Sequence, residues 1–248
     1  MMKQIILVTD GCSNEGMSPV VAASHALAEG IVVNVIGVMD QGELGQKGMV
    51  EIGDIAKAGG GVSRIIRSQL LSQTMQMVTR KTVSHTIQQV VNKELRQMMG
   101  INDLEQLHPS KRAEVVQTID ELSETADLQV ALLIDTSLSM KAKLPAVQEA
   151  MQDLLLSLQA RLGKSELAVF HFPASEKSEE AQMDTGWTHE LAKLPNLFYK
   201  LSMKGMTPTG PALLQVIRYI QEHRANAQHT RSQQRKSDKD GMLSDYVV

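Results

Sequence analysis

Short, nearly continuous apolar runs recur along the chain and are separated by longer stretches with helical spacing. Gln4–Thr9 has the nearly continuous apolar character of a strand buried on both faces, Ile31–Val38 and Gln129–Ile134 read as further buried strands, and Val62–Ile66 and Glu166–Phe172 as shorter or plainer ones. Between them, Met17–Glu29 carries Val20, Val21, Ala23, His25, Leu27 and Ala28 and meets a stop at Gly30. Gly48–Ala58 is closed by Gly59-Gly60-Gly61, Pro145–Leu162 ends at Gly163, and Pro211–Gln221 follows a turn-rich loop. Strands alternating with helices predict an α/β fold: a doubly wound, mostly parallel sheet with helices on both faces.

Residues 67–127 interrupt that alternation. Leu71, Met75, Val78, Ile87, Val90, Val91, Leu95 and Met98 fall three and four apart, predicting a long amphipathic helix stopped by Gly100. Val115, Ile119, Leu122 and Ala126 predict a shorter one after Pro109-Ser110. The Met/Val stripe of the long helix reads as a face turned to the core, with a partner-binding surface as the other reading. Ala174–Asp184 is polar, Leu191–Leu201 is helical in pattern apart from Pro195, and His223–Asp240 loses its apolar content. Four segments result: 1–66, a helical connector at 67–127, 128–223, and a flexible polar tail at 224–248.

Composition narrows the class. The 248 residues carry 25 Lys+Arg against 28 Asp+Glu, a net charge of −3 that gives no general attraction to nucleic acid or to an anionic membrane. The tail's Lys and Arg residues are interleaved with Asp238 and Asp240 and lack aromatics, so it reads as solvated; Ser232 and Ser237 beside basic residues are candidate phosphorylation sites. A single cysteine, Cys12, rules out an intramolecular disulfide and a thiolate zinc cage. The apolar runs Ile5–Val8 and Ile31–Met39 are short for a signal peptide and for the ~20 residues of a membrane span, so a cytoplasmic protein is expected. With aromatics at 3% and 15 methionines, the core is expected to be aliphatic and gap-filled by thioethers.

The chemistry concentrates at strand ends. Asp135-Thr136-Ser137-Leu138-Ser139 follows the apolar run 130–134, which places a carboxylate and two hydroxyls where doubly wound sheets bind ligands. Oxygen donors of this kind suit Mg²⁺ or Mn²⁺ better than zinc or copper. Asp10, in Thr9-Asp10-Gly11, ends another buried strand, and Gly205-Met206-Thr207-Pro208-Thr209-Gly210 is a hydroxyl-bearing loop that opens a helix. The seven histidines do not cluster; His171 on a strand and His25 on a helix read as packed residues. Gly59-Gly60-Gly61 precedes a strand rather than a helix, the wrong order for a phosphate loop, and reads as a helix stop. Cys12 reads as a small filler, since thiolate is a poor Mg²⁺ donor.

Together the three oxygen-bearing segments resemble the metal-ion-dependent adhesion site (MIDAS) of von Willebrand factor type A (vWA) domains. That family has D-x-S-x-S after its first strand, a threonine in a G-x-T-x-x-G-x-A-L loop, and T-D-G after its fourth strand. Here T-D-G stands first, at 9–11, with the other two at 135–139 and 205–213. The chain therefore looks like a circularly permuted member in which 128–223 matches the family's first half and 3–66 its second, joined through 67–127. Ile55–Gly60 also resembles that family's last helix-to-strand turn.

The resemblance implies that Ser137 and Ser139 coordinate the metal. Asp135 and Asp10 would hold metal-bound waters, Thr207 would bind directly or through water, and Thr209 stands behind it. It also implies an open coordination position for an Asp or Glu of a protein partner; with the oxygen constellation and no evident nucleophile–base pair in the sequence, a non-catalytic module is expected. An alternative is a metal-dependent phosphohydrolase with Asp135 as nucleophile and Lys204 stabilising charge. Ser137 stands where such an enzyme's second aspartate is expected. A monomer and a dimer swapped through the connector both satisfy the pattern.

Overall fold

The computed structural model describes residues 1–11, 13–39, 46–99, 108–174, 179–190, 192 and 206–223. Their elements run β1 (Met2–Thr9), α1 (Pro19–Ala28), β2 (Val32–Val38), α2 (Gln46–Ala58), β3 (Gly60–Ile66), α3 (Leu71–Met99), α4 (Pro109–Thr125), β4 (Leu128–Asp135), α5 (Leu144–Gln159), β5 (Ser165–Phe172) and β6 (Gln182–Thr188). A final helix, α6, spans 209–223. The strands form one sheet in the order β3-β2-β1-β4-β5-β6. All neighbours are parallel except β6, which runs antiparallel to β5.

Alternation along each strand divides the core in two. Ile6, Val8, Val130, Leu132, Ile134, Leu167 and Val169 face one layer, where Leu71, Met75, Val83 and Ile87 of α3, Ile119 of α4 and Val147, Met151, Leu154 and Leu158 of α5 cover them. Ile5, Leu7, Val33, Val35, Ala131, Leu133, Phe170 and Phe172 face the other, beneath α1, α2 and α6. The long stripe of α3 is thus turned to the core, buried as far as Ile87 and partly buried at Val91 and Leu95, while Val90 is exposed. Between β3 at one edge and β4 at the centre, α3 and α4 carry the chain back over the α5 face. At 1.5 Å per residue, a helix of the 29 residues of α3 is ~43 Å long, enough to cross the sheet.

Two details depart from the sequence expectations. Ala174–Asp184 is a polar stretch with no strand pattern, yet 182–184 begin β6, which continues to Thr188. This strand lies at the sheet edge, where a polar composition is tolerated because one side of the strand and part of its face meet water. In α1 the buried face is the small-residue one, Ala22, Ala23 and Ala26, and Val21, Leu27 and His25 are exposed. Small side chains let the helix lie close on the sheet. The glycine run after α2 ends the helix, with Gly60 at φ +65°, and also admits the neighbouring strand. A Cβ at Gly61 would lie 2.1 Å from the Val33 carbonyl oxygen. The predicted helix at 191–201 and the tail from 224 lie outside the described residues, as do Cys12 and Lys204.

Candidate metal centre

β1 and β4 pair side by side, Val8 against Ile134, so the residues that follow them leave the same edge of the sheet together. From β1 the chain winds outward to β2 and β3; from β4 it winds outward to β5. Their carboxyl ends therefore flank the point where the winding reverses, the place where an open parallel sheet leaves a crevice. Asp10 and Asp135 meet there although 125 positions separate them in sequence.

Asp135 is fully buried and its two oxygens have different tasks. Oδ1 accepts from the Ser137 backbone N–H at 2.8 Å, fixing the turn after β4, and Oδ2 accepts from the Thr9 hydroxyl at 2.7 Å, tying that turn to β1. Burial pushes the Asp135 carboxyl above its ordinary value, opposed by the hydrogen bonds from Ser137 and Thr9 and aided by the nearby charge of Asp10. Ser137 begins the single 3₁₀ turn Leu138–Met140, which folds Ser139 back over the strand ends. The Ser137 and Ser139 hydroxyl oxygens stand 3.2 Å apart, and Ser139 donates to Asp10 Oδ1 at 2.8 Å. The second oxygen of Asp10 accepts from Lys143 Nζ at 2.5 Å. Lys143 caps the start of α5, and both side chains of this pair are 2% exposed.

Raising the folded-state pKa of an acid means that the folded chain holds its proton more tightly than the unfolded chain does. Its contribution to stability is complete below the ordinary aspartate value near 3.8 and is lost as pH rises through the raised value. In chelator, urea unfolding of the wild-type protein across the acid range is expected to show this decline on raising pH. Asp135→Asn should lack it, and parallel curves for the two proteins would contradict the assignment.

The short segment 206–208 ahead of α6 is held against the segment after β1. Asn14 Oδ1 accepts from the Thr207 N–H at 2.8 Å, the Asn14 N–H donates to the Thr207 carbonyl at 3.3 Å, and the Ser13 hydroxyl donates to the same carbonyl at 3.3 Å. Glu51 of α2 in turn accepts from the Ser13 N–H at 2.9 Å. Thr207 and Thr209 are buried, but among the described residues no hydrogen bond joins either hydroxyl to the Asp10–Ser139 chain. The structure therefore brings Asp10, Asp135, Ser137 and Ser139 into one connected cluster and sets the threonine segment beside it through Asn14. A methyl at Gly210 would meet the Met17 carbonyl oxygen at 2.0 Å, closer than any relaxation of side chains can relieve. Gly210→Ala is expected to cost about 1–3 kcal/mol by overpacking. An unchanged urea midpoint would show that the two loops are not in register.

Thr9, Asn14 and Lys143 are site residues that sequence reasoning passed over. Asn14 stands in the turn-forming run Ser13-Asn14-Glu15-Gly16, a signal that was available. Lys143 lies four residues beyond Ser139, but its burial depends on Asp10, 133 positions away.

The donor set fits a hard divalent cation. Ligands on adjacent corners of a Mg²⁺ octahedron, each about 2.0–2.1 Å from the ion, lie about 2.9 Å from one another. The separations of 3.2 Å between the serine hydroxyls and 2.8 Å between Ser139 and Asp10 lie on either side of that value. Among the described residues no group of three His, Cys, Asp or Glu is placed to hold a metal, so any metal here depends on hydroxyl oxygens. Exposed apolar side chains stand in or near each of the three segments in sequence: Leu138 at 64%, Met206 at 50% and Met17 at 37%. Among the described residues no helix is long and apolar enough to cross a membrane.

No family model matches the chain. The Bacillus subtilis protein YabS is 45% identical over 242 residues, which span 97% of this chain and 98% of YabS. A crystal structure of an uncharacterized protein from Alicyclobacillus acidocaldarius subsp. acidocaldarius is 40% identical and superposes with a TM-score of 0.83, covering 91% of this chain and 96% of that one. Proximal thread matrix protein 1 of the mussel byssus, solved with a zinc-occupied MIDAS motif, is 19% identical over 85% of this chain and 44% of that one. Its TM-score of 0.26 is too low for that likeness to bear on the site.

Proposed function

The chain belongs to the family of Bacillus subtilis YabS, and on that premise we propose that it is a Mg²⁺-dependent protein-interaction module that captures a partner carboxylate at a permuted MIDAS-type site. The observation that carries this reading is the Ser137–Ser139–Asp10 hydroxyl–carboxylate cluster at the reversal point of the sheet. Strand count supports the permutation. Numbered from β4, the strands β4, β5 and β6 precede β1, so Asp135-Thr136-Ser137-Leu138-Ser139 follows a first strand and Thr9-Asp10-Gly11 a fourth, as in vWA domains. β6, absent from the sequence reading, completes that count. In this reading Ser137 and Ser139 hold the ion, Asp10 and Asp135 hold its waters, Thr207 approaches it with Thr209 behind, and Leu138, Met206 and Met17 form an apolar rim for the partner.

Panning a random peptide library on the Mg²⁺-loaded protein tests this directly. Enriched sequences should share an Asp or Glu and should be released by EDTA. Enrichment without an acidic residue, or binding that survives chelation, would refute the module.

A phosphoryl-transfer role for Asp135 finds less support, because its carboxylate is fully buried and both of its oxygens already accept hydrogen bonds. Turnover of a phosphate ester in saturating Mg²⁺ that disappears in Asp135→Asn would restore that role. Sedimentation against the 27.2 kDa chain mass separates monomer from swapped dimer.

A further inference from the structure

Lysine is among the residues least often buried, and Lys143 is withdrawn almost entirely from solvent at the start of α5. Its ammonium meets the oxygen of Asp10 that Ser139 does not use. A fixed positive charge therefore shares one carboxylate with the hydroxyl that belongs to the candidate metal centre. The metal reading above does not require it, and electrostatics gives it a defined consequence there.

In formal charges, Asp10, Asp135 and Lys143 sum to one negative charge. A divalent cation entering that set leaves one positive charge, which an anionic ligand neutralises. Without the lysine, the two carboxylates alone would neutralise the cation, and an incoming carboxylate would gain little. The ammonium also repels the cation across a short, poorly screened distance. The two effects oppose each other: the lysine lowers affinity for the bare metal and raises affinity of the loaded site for anions.

We propose that Lys143 is the resident cation of this site, weakening divalent-ion binding while making the metal-loaded site a receptor for carboxylate anions. This rests on the metal reading given under the proposed function. Metal and anion then bind as a coupled pair, each stabilising the other. The metal-free site, with its net negative charge, repels the same anion.

The test uses the full chain, with Mn²⁺ alone as the first probe and acetate added to the Mn²⁺-loaded protein as the second. Free Mn²⁺ is followed by its electron paramagnetic resonance signal, and acetate by the loss of water-proton relaxation as it displaces metal-bound water. Lys143→Met and Lys143→Gln are expected to bind Mn²⁺ at least about tenfold more tightly, and acetate at least about fivefold more weakly, than the wild type. Lys143→Arg should match the wild type in both. Circular dichroism shows which variants are folded, and the glutamine variant keeps a donor for Asp10 should the methionine one unfold.

Opposite signs in the two titrations are the signature, since a purely structural lysine would weaken both or neither. Unchanged or weaker Mn²⁺ binding in the folded neutral variants, or unchanged acetate binding, overturns the inference and leaves the metal reading standing. Absence of Mn²⁺ binding in every protein, wild type included, overturns both.

Discussion

Replacing Asp10 with alanine will destabilise the metal-free protein by about 3–5 kcal/mol, and adding Lys143→Met to that variant will recover most of the loss. Lys143 and Asp10 form a buried pair, so removing the carboxylate takes away the charge that the buried ammonium meets at Asp10 Oδ2. Such a penalty is a large share of the 5–15 kcal/mol that holds an ordinary domain together. An apolar side chain of similar length removes the buried charge while keeping most of the side-chain volume. Urea unfolding of the wild type, the two single variants and the double variant in EDTA closes the cycle. A double variant no more stable than Asp10→Ala would mean that the two side chains do not meet.

Ser137→Ala with Ser139→Ala has the opposite profile: metal binding is lost while folding persists. Asp10 keeps its ion pair with Lys143, and Asp135 keeps the backbone N–H of residue 137 and the Thr9 hydroxyl. The fold therefore gives up little more than the hydrogen bonds of two hydroxyls, about 1 kcal/mol each. Divalent binding loses both neutral oxygen ligands at once, and a fall of more than about a hundredfold is expected, since disturbing even one outer-shell partner of a metal costs 10–100-fold. Calorimetric titration with Mn²⁺, beside thermal unfolding of the same samples, separates the two quantities. Metal binding that survives both substitutions would place any cation elsewhere.

The buried strands were legible because a parallel sheet covered on both faces leaves its apolar residues without alternation. Val130–Ile134 and Ile5–Val8 carry that pattern plainly, and both are fully enclosed. β6 was not legible. Gln182-Met183-Asp184-Thr185-Gly186-Trp187-Thr188 is a strand through its antiparallel pairing with β5, at an edge where polar residues are admitted. The burial of His171 on β5 was readable, but the carboxylate at 2.8 Å from its Nδ1 belongs to Asp184 of the unread strand.

At the site, Asp10, Asp135, Ser137 and Ser139 were legible because hydroxyls and carboxylates at strand ends have a chemical meaning before any contact is known. Lys143 was not, because a lysine at a helix start reads as solvated and only the 133-residue contact to Asp10 shows otherwise. Large apolar residues misled the reading of α1, whose close seat on the sheet needs alanines and leaves Val21 outside.

The account stands on one divalent ion shared by two distant segments. A crystal of the full chain soaked in Mn²⁺ and measured at the manganese absorption edge tests this most directly. One anomalous peak is expected at the strand ends of β1 and β4, with the Ser137 and Ser139 hydroxyls in direct contact at about 2.0–2.3 Å and Asp10 in the same shell or one water away. A peak far from those residues, or none at a concentration that saturates binding in solution, would contradict it.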